Sequence, residues 1–135
     1  MAKMVIFDTD ILIDYLLGIA DARTFFTHFP RTERYTTVIS LMEIYRGARN
    51  KQELSIFKRF FLASFAEVLQ INENASRQAV ELVEAYALSH GLLLADALVA
   101  AMTLFNEGQL ITGNRNHFDY IPGLSFLVPP YRIKL

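Results

Sequence analysis

The feature that most constrains this chain is a short apolar run that ends in a carboxylate and passes directly into a helical pattern. Met4-Val5-Ile6-Phe7 leads into Asp8-Thr9-Asp10, and Ile11, Leu12, Tyr15 and Leu16 follow at helical spacing. An apolar run this short, bounded by polar residues, reads as a buried strand of a parallel sheet. Ligands of open α/β sheets bind beyond the carboxyl ends of such strands, so Asp8 is expected to face a crevice there. The plainer role for an acid at this point is to cap the helix. One acid suffices for that, and by sequence Asp10 is the better placed.

The same alternation continues. A first helix is expected to stop near Gly18, a second to cover residues 21–29, and a charged turn to occupy residues 31–34. Tyr35-Thr36-Thr37-Val38-Ile39 is rich in β-branched residues and reads as a second strand. Ser40-Leu41-Met42-Glu43 then fits a capping box, with helix to Arg49. A Glu in the first turn of a helix after a parallel strand also lies at the carboxyl edge of the sheet, where Asp8 lies. A further helical pattern spans residues 52–65, a third strand residues 67–71, and a long helix runs from a cap at residues 72–74 to Gly91. Leu92-Leu93-Leu94-Ala95-Asp96 repeats the opening logic of apolar residues, acid and helix. Residues 97–105 are apolar almost all round and are expected to be buried on both sides. A fourth strand at residues 109–112, a polar turn at 113–116 and a short last strand at 126–128 complete the chain. Alternating strands and helices argue for one α/β domain over residues 1–135 with a mainly parallel sheet.

Composition narrows the function. Cysteine is absent, which excludes disulfides, a thiolate nucleophile and a thiolate zinc site and fits a reducing, cytoplasmic setting. The apolar start is too short for a signal peptide, and no apolar run approaches the length of a membrane span. The net charge of −1 means that any attraction to nucleic acid comes from a local patch. No Gly-rich phosphate loop is present.

In such a sheet Asp8, Glu43, Asp96 and the turn from Thr112 to Asn114 fall at one edge. Three carboxylates brought together repel, and a hard divalent cation removes the conflict. Carboxylate, amide and water oxygens suit Mg²⁺ or Mn²⁺, and Thr112 and Asn114 add neutral oxygens. None of His28, His90 and His117 is at ligand spacing to another His, so each reads as a structural or surface residue. Acid-held Mg²⁺ suits phosphodiester hydrolysis, and Arg46 and Arg115 are the best candidates to hold a polyanion.

The chain resembles the PIN-domain ribonucleases, in particular the VapC-like toxins of toxin–antitoxin pairs. The resemblance rests on Ile6-Phe7-Asp8-Thr9-Asp10-Ile11-Leu12-Ile13-Asp14, Ser40-Leu41-Met42-Glu43, Leu94-Ala95-Asp96-Ala97-Leu98-Val99-Ala100-Ala101 and Ile111-Thr112-Gly113-Asn114, with His117-Phe118 beyond. Each piece is short; their order and spacing are specific, and they span nearly the whole chain. It implies a three-layer α/β/α fold and a Mg²⁺- or Mn²⁺-dependent endoribonuclease with Asp8, Glu43 and Asp96 as its acidic set. Two positions depart from the family pattern. Asn114 stands where Asp is often found, and Asp10 stands where Asn or Ser is common.

Three other readings are weaker. The opening Phe7-Asp8-Thr9-Asp10 resembles the first motif of haloacid dehalogenase-type phosphatases, but Ile11-Leu12 replace the Gly-Thr expected next and the late paired-acid motif is missing. A receiver-like signalling domain lacks its phosphate-accepting Asp and its Lys. A PIN fold that binds without catalysing is the third.

The phenylalanines point to partners. Phe25, Phe26 and Phe29 share one short helix, and Phe57, Phe60, Phe61 and Phe65 another. Their spacing spreads them around the helices beyond a single core stripe. Some are expected to fill the core, and Phe25, Phe57 and Phe60 to line an exposed groove or dimer face. The resemblance implies a homodimer, and a small antitoxin that lays an apolar helix into such a groove.

Overall fold

The structure, a computed structural model, describes residues 3–133. Residues 1–2 and 134–135 of the expected 1–135 domain lie outside the described residues. Five strands form one parallel sheet: β1 (Val5–Phe7), β2 (Arg34–Thr37), β3 (Glu67–Leu69), β4 (Gln109–Ile111) and β5 (Phe126–Leu127), in the spatial order β3-β2-β1-β4-β5. The chain leaves β1 toward β2 and β3 and returns on the other side to β4. The order therefore reverses between β1 and β4, the place where such sheets open a crevice at their carboxyl edge.

Helices cover both faces. α1 (Thr9–Leu16), α2 (Ala20–His28), α3 (Val38–Arg46), α4 (Lys51–Ser64), α5 (Glu73–His90), α6 (Leu94–Phe105) and α7 (Arg115–Phe118) separate the strands, and 3-10 turns occupy Arg31–Glu33 and Pro130–Arg132. Successive residues of a strand point to opposite faces, and the core divides accordingly. Ile6 and Leu110 pack with α5 and α6, whereas Val5, Phe7 and Ile111 pack with α1, α2 and α4. Both layers are thus set by alternate residues of the same two strands.

Most phenylalanines belong to the second layer. Phe26, Phe29, Phe61 and Phe65 are buried there, and Phe25, Phe57 and Phe60 are half-buried against it. Most of their rings meet at tilted and edge-on angles, as in Phe7–Phe26 at 4.9 Å and Phe60–Phe65 at 5.5 Å, while Phe61 and Phe65 stack at 24°. The Arg34 guanidinium lies over Phe26, 4.5 Å from its centroid.

Three expectations need correction. Strand β2 ends at Thr37, and the helix begins at Val38, two residues before the predicted capping Ser40. The Thr37 hydroxyl accepts from the Ser40 amide at 3.2 Å and is the true cap. Glu43 therefore sits in the second turn with no capping role; Gly47 ends this helix before Arg49. The run at residues 92–94 repeats the opening pattern only in part: Leu92 is buried, while Leu93 and Leu94 open α6 in solvent, 61% and 70% exposed. Finally, the cap position of α1 is Asp8, whose carboxylate accepts from the Thr9 amide at 2.9 Å, not Asp10.

Candidate active site

Asp8 follows β1 directly and Thr112 follows β4, so the two flank the point where strand order reverses. The Thr112 hydroxyl donates to Asp8 Oδ2 at 2.8 Å, and Thr112 Oγ1 accepts from the Asn114 amide at 3.0 Å. Asp8 is 7% exposed. Burial, then the charge of Asp10, and more weakly that of Asp96, push its carboxyl up to about 7 against the hydrogen bonds from Thr112 and Thr9.

Glu43 reaches the same place from α3. Its Oε1 accepts from the Thr9 hydroxyl at 2.7 Å, and Ser40 Oγ is 2.9 Å from that hydroxyl. Thr9, adjacent to Asp8, thus ties Glu43 to the mouth of β1. Asp96 enters from the first turn of α6. Its carboxyl is raised by burial, lowered by His117 and raised again by the charge of Glu43. Asp8 therefore feels Asp96, and Asp96 feels Glu43, so the three expected acids share one electrostatic neighbourhood. Among the described residues, however, no three His, Cys, Asp or Glu side chains are gathered into a ready-made metal cage.

Asp10 is employed differently. Its Oδ2 accepts from the Gly113 amide at 2.8 Å and its Oδ1 from Ile11 at 2.9 Å, with Arg132 Nη1 at 3.8 Å. It pins the turn after β4 to the start of α1. A Cβ on Gly113 would come within 2.6 Å of Asp10 Oδ2 and 2.9 Å of Arg132 Nη1, so a larger residue there would have to displace the Asp10 carboxylate or the Arg132 guanidinium. Asn114 is the cap residue of α7 but makes no side-chain cap bond, which leaves its amide free of that task.

Two groups at the site escaped the sequence reading. His117, taken there for a structural or surface residue, places Nδ1 2.9 Å from Asp96 Oδ2. Arg132, from the 3-10 turn Pro130–Arg132, donates through Nε to Asp14 Oδ2 at 2.7 Å, and the Tyr131 hydroxyl donates to the same oxygen at 2.9 Å. Asp14 is 7% exposed. No local signal joins residues this far apart in sequence; the only hint for Asp14 was an acid placed among the apolar positions of α1.

The two expected polyanion holders are both exposed. Arg46 ends α3, and Arg115 opens α7, its guanidinium 5.7 Å from the Phe126 ring centroid. The expected groove residues separate. Phe57 lines a groove of about 410 Å³ with Ile13, Leu17, Ile44 and Glu43 between α1, α3 and α4. Phe25 packs instead on Phe29 and Tyr131, and Phe60 on Tyr15 and Phe26. Glu43 lines the groove and belongs to the acidic group, so groove and crevice adjoin.

The family model described as PIN domain matches residues 5–124. Ribonuclease VapC10 of Mycobacterium tuberculosis is 30% identical over 132 residues, covering 96% of this chain and 95% of that protein. Ribonuclease VapC19 of the same organism is 29% identical over 131 residues, covering 95% and 100%. A toxin–antitoxin complex from Klebsiella pneumoniae contains a chain of the same fold, with TM-score 0.76 and 28% identity over 93% of this chain and 97% of that one.

Proposed function

The chain belongs to the PIN domain family, and from that premise we propose that it is a divalent-metal-dependent endoribonuclease and the toxin of a toxin–antitoxin pair. The observation that carries the reading is the buried Asp8 at the strand-order reversal, held by Thr112 and joined through the adjacent Thr9 to Glu43, with Asp96 near enough for its charge to act on Asp8. The donor set is all oxygen and acidic, which suits Mg²⁺ or Mn²⁺ and not a soft metal. Asp8 and Asp96 would hold the ion, with Glu43, Thr112 and Asn114 completing the shell through water. Mg²⁺ commonly keeps several waters and takes one or two carboxylates, in keeping with acids that neighbour one another without converging.

When bound, the cation would make water a better nucleophile at neutral pH and offset charge on the phosphate. The protein's own residues set the stage for it. The Thr112 hydroxyl fixes one oxygen of Asp8 and the Thr9 amide the other, so the carboxylate is oriented before substrate arrives. Thr9 holds Glu43 toward the same crevice, and His117 does so for Asp96. Asp10, facing Gly113 and Arg132, serves the scaffold. That also argues against the phosphatase reading, in which the second acid must be free to transfer protons. Arg46 and Arg115 would hold the RNA backbone.

The groove beside Glu43 would receive the apolar helix of the antitoxin, and a basic side chain at its end would silence the acids. A homodimer is part of the same proposal. The test is incubation of purified protein with structured RNAs in Mn²⁺ or in chelator. Attack by water requires internal cuts whose ends carry no 2′,3′-cyclic phosphate. Cutting that survives chelator, or cyclic-phosphate ends, would contradict the reading.

A further inference from the structure

A second concavity of about 190 Å³ opens beside Asp96, and its walls include His90, Leu93, Asn116, His117 and Tyr120. The His90 ring is stacked on Tyr120 with centroids 4.0 Å apart and planes at 17°. Tyr86 stands against both, 5.1 Å from Tyr120 and 5.7 Å from His90. Tyr86 and Tyr120 rest on the core beneath α5 and α6, but His90 lies outermost, at the exposed end of α5. Its Nδ1 is 2.7 Å from Ser89 Oγ. An exposed ring held flat on a second ring and tethered at its edge is ordered without being buried. Leu93, 61% exposed, adds apolar surface, and the exposed Asn116 and His117 add polar edges. Core packing accounts for none of these outer groups.

Resting on the ribonuclease reading above, we propose that this pocket is a nucleobase subsite, which takes the base of a nucleotide flanking the scissile phosphodiester. Single-stranded RNA is read by bases turned out of the stack, laid on Tyr or His rings and hydrogen-bonded at their edges. The pocket offers both elements, and Asp96 belongs to the pocket and to the acidic group alike. A base seated here is therefore attached to a phosphate at the crevice. The occupant is the base and not a second phosphate, because the walls supply stacked rings, the apolar Leu93 and the polar edges of Asn116 and His117 but no Lys or Arg. The subsite makes sequence preference a property of the end of α5 and of α7, apart from the catalytic acids.

The experiment uses the full chain with Mn²⁺ and a pool of single-stranded RNAs randomised around one segment, with the cut ends sequenced. Wild type, His90→Ala and Asn116→Ala are compared; both side chains are exposed, and folding is checked by circular dichroism. Stacking lost at His90 raises KM about tenfold with kcat nearly unchanged, and flattens the preference at one nucleotide beside the cut. Asn116→Ala changes which base is favoured there. Unchanged KM and preference in both variants would overturn the subsite while leaving the ribonuclease intact. Normal cutting by variants with an altered oligomeric state would also overturn it, by making the pocket a protein contact. If wild type cuts no RNA at all, the ribonuclease reading falls and takes the subsite with it.

Discussion

At the scale of the residue, burial and ionisation oppose each other at Asp8. In the unfolded chain an aspartate ionises near pH ~3.9, whereas burial and the neighbouring Asp10 keep Asp8 protonated up to about 7. Between those values the folded protein binds more protons than the unfolded one, so stability is fully present at low pH and falls as pH rises through this window. Asp10 and Asp96, raised chiefly by burial, add in the same direction. In chelator, the melting temperature of wild type is expected to drop from about pH 4 to about pH 7. Asp8→Asn should show a shallower drop and a higher melting temperature at neutral pH. Equal slopes would place the extra proton elsewhere. Arg132 has the opposite role. It and Tyr131 share one oxygen of the buried Asp14, so Arg132→Ala leaves a buried carboxylate short of its cation. Urea unfolding should register a loss of roughly 2 kcal/mol; a loss under about 0.5 kcal/mol, the size of an ordinary surface change, would mean that Tyr131 alone suffices.

At the scale of the element, hydrophobic periodicity located every helix longer than one turn and all five strands, and the misplaced boundaries have physical causes. Val38 and Ile39 favour strand intrinsically, but the Thr37 cap and the burial of Ile39 draw them into α3; tertiary context overrides propensity. Leu92-Leu93-Leu94 differs from the opening run in that two of its side chains stay in solvent, which apolar content alone does not reveal. The phenylalanines show what periodicity cannot decide. It detects that α2 and α4 carry more aromatic surface than one stripe needs, but which rings remain available depends on what packs against them. Phe57 reaches the groove, whereas Phe25 and Phe60 are engaged by Tyr131 and Tyr15. Charge at Phe57 is therefore expected to weaken antitoxin binding at least tenfold with little change in melting temperature, while charge at Phe25 lowers the melting temperature. Binding of both variants to a candidate antitoxin, identified by its capture of the wild-type chain, checks the distinction; equal loss of affinity with unchanged melting in both would enlarge the groove to include α2.

At the scale of the whole molecule, the three acids come from β1, α3 and α6, and only the complete sheet brings them to one edge. Asp8 was legible as an acid at a strand end and Asp96 as an acid at a helix start on the same side, whereas Glu43, expected in a first turn, reaches that side from the second turn of α3. The His117 contact and the Arg132 clamp were not, since both depend on the fold returning distant segments to the crevice. Because neighbouring carboxylates repel one another, a cation bound between them would stabilise the whole fold: at one hundred times its dissociation constant the gain would be about 2.7 kcal/mol. The melting temperature should rise with Mn²⁺ in wild type and much less in Asp8→Asn; an equal rise in both would indicate a nonspecific salt effect. The central claim, that Asp8, Glu43 and Asp96 form one metal-dependent nuclease site, is tested most directly by RNA cleavage in Mn²⁺ by Asp8→Asn, Glu43→Gln and Asp96→Asn beside wild type. Each substitution removes a charge with little change in volume. Each variant is expected to fold and to lose cleavage by about a hundredfold or more, and full activity in any two of the three would contradict the claim.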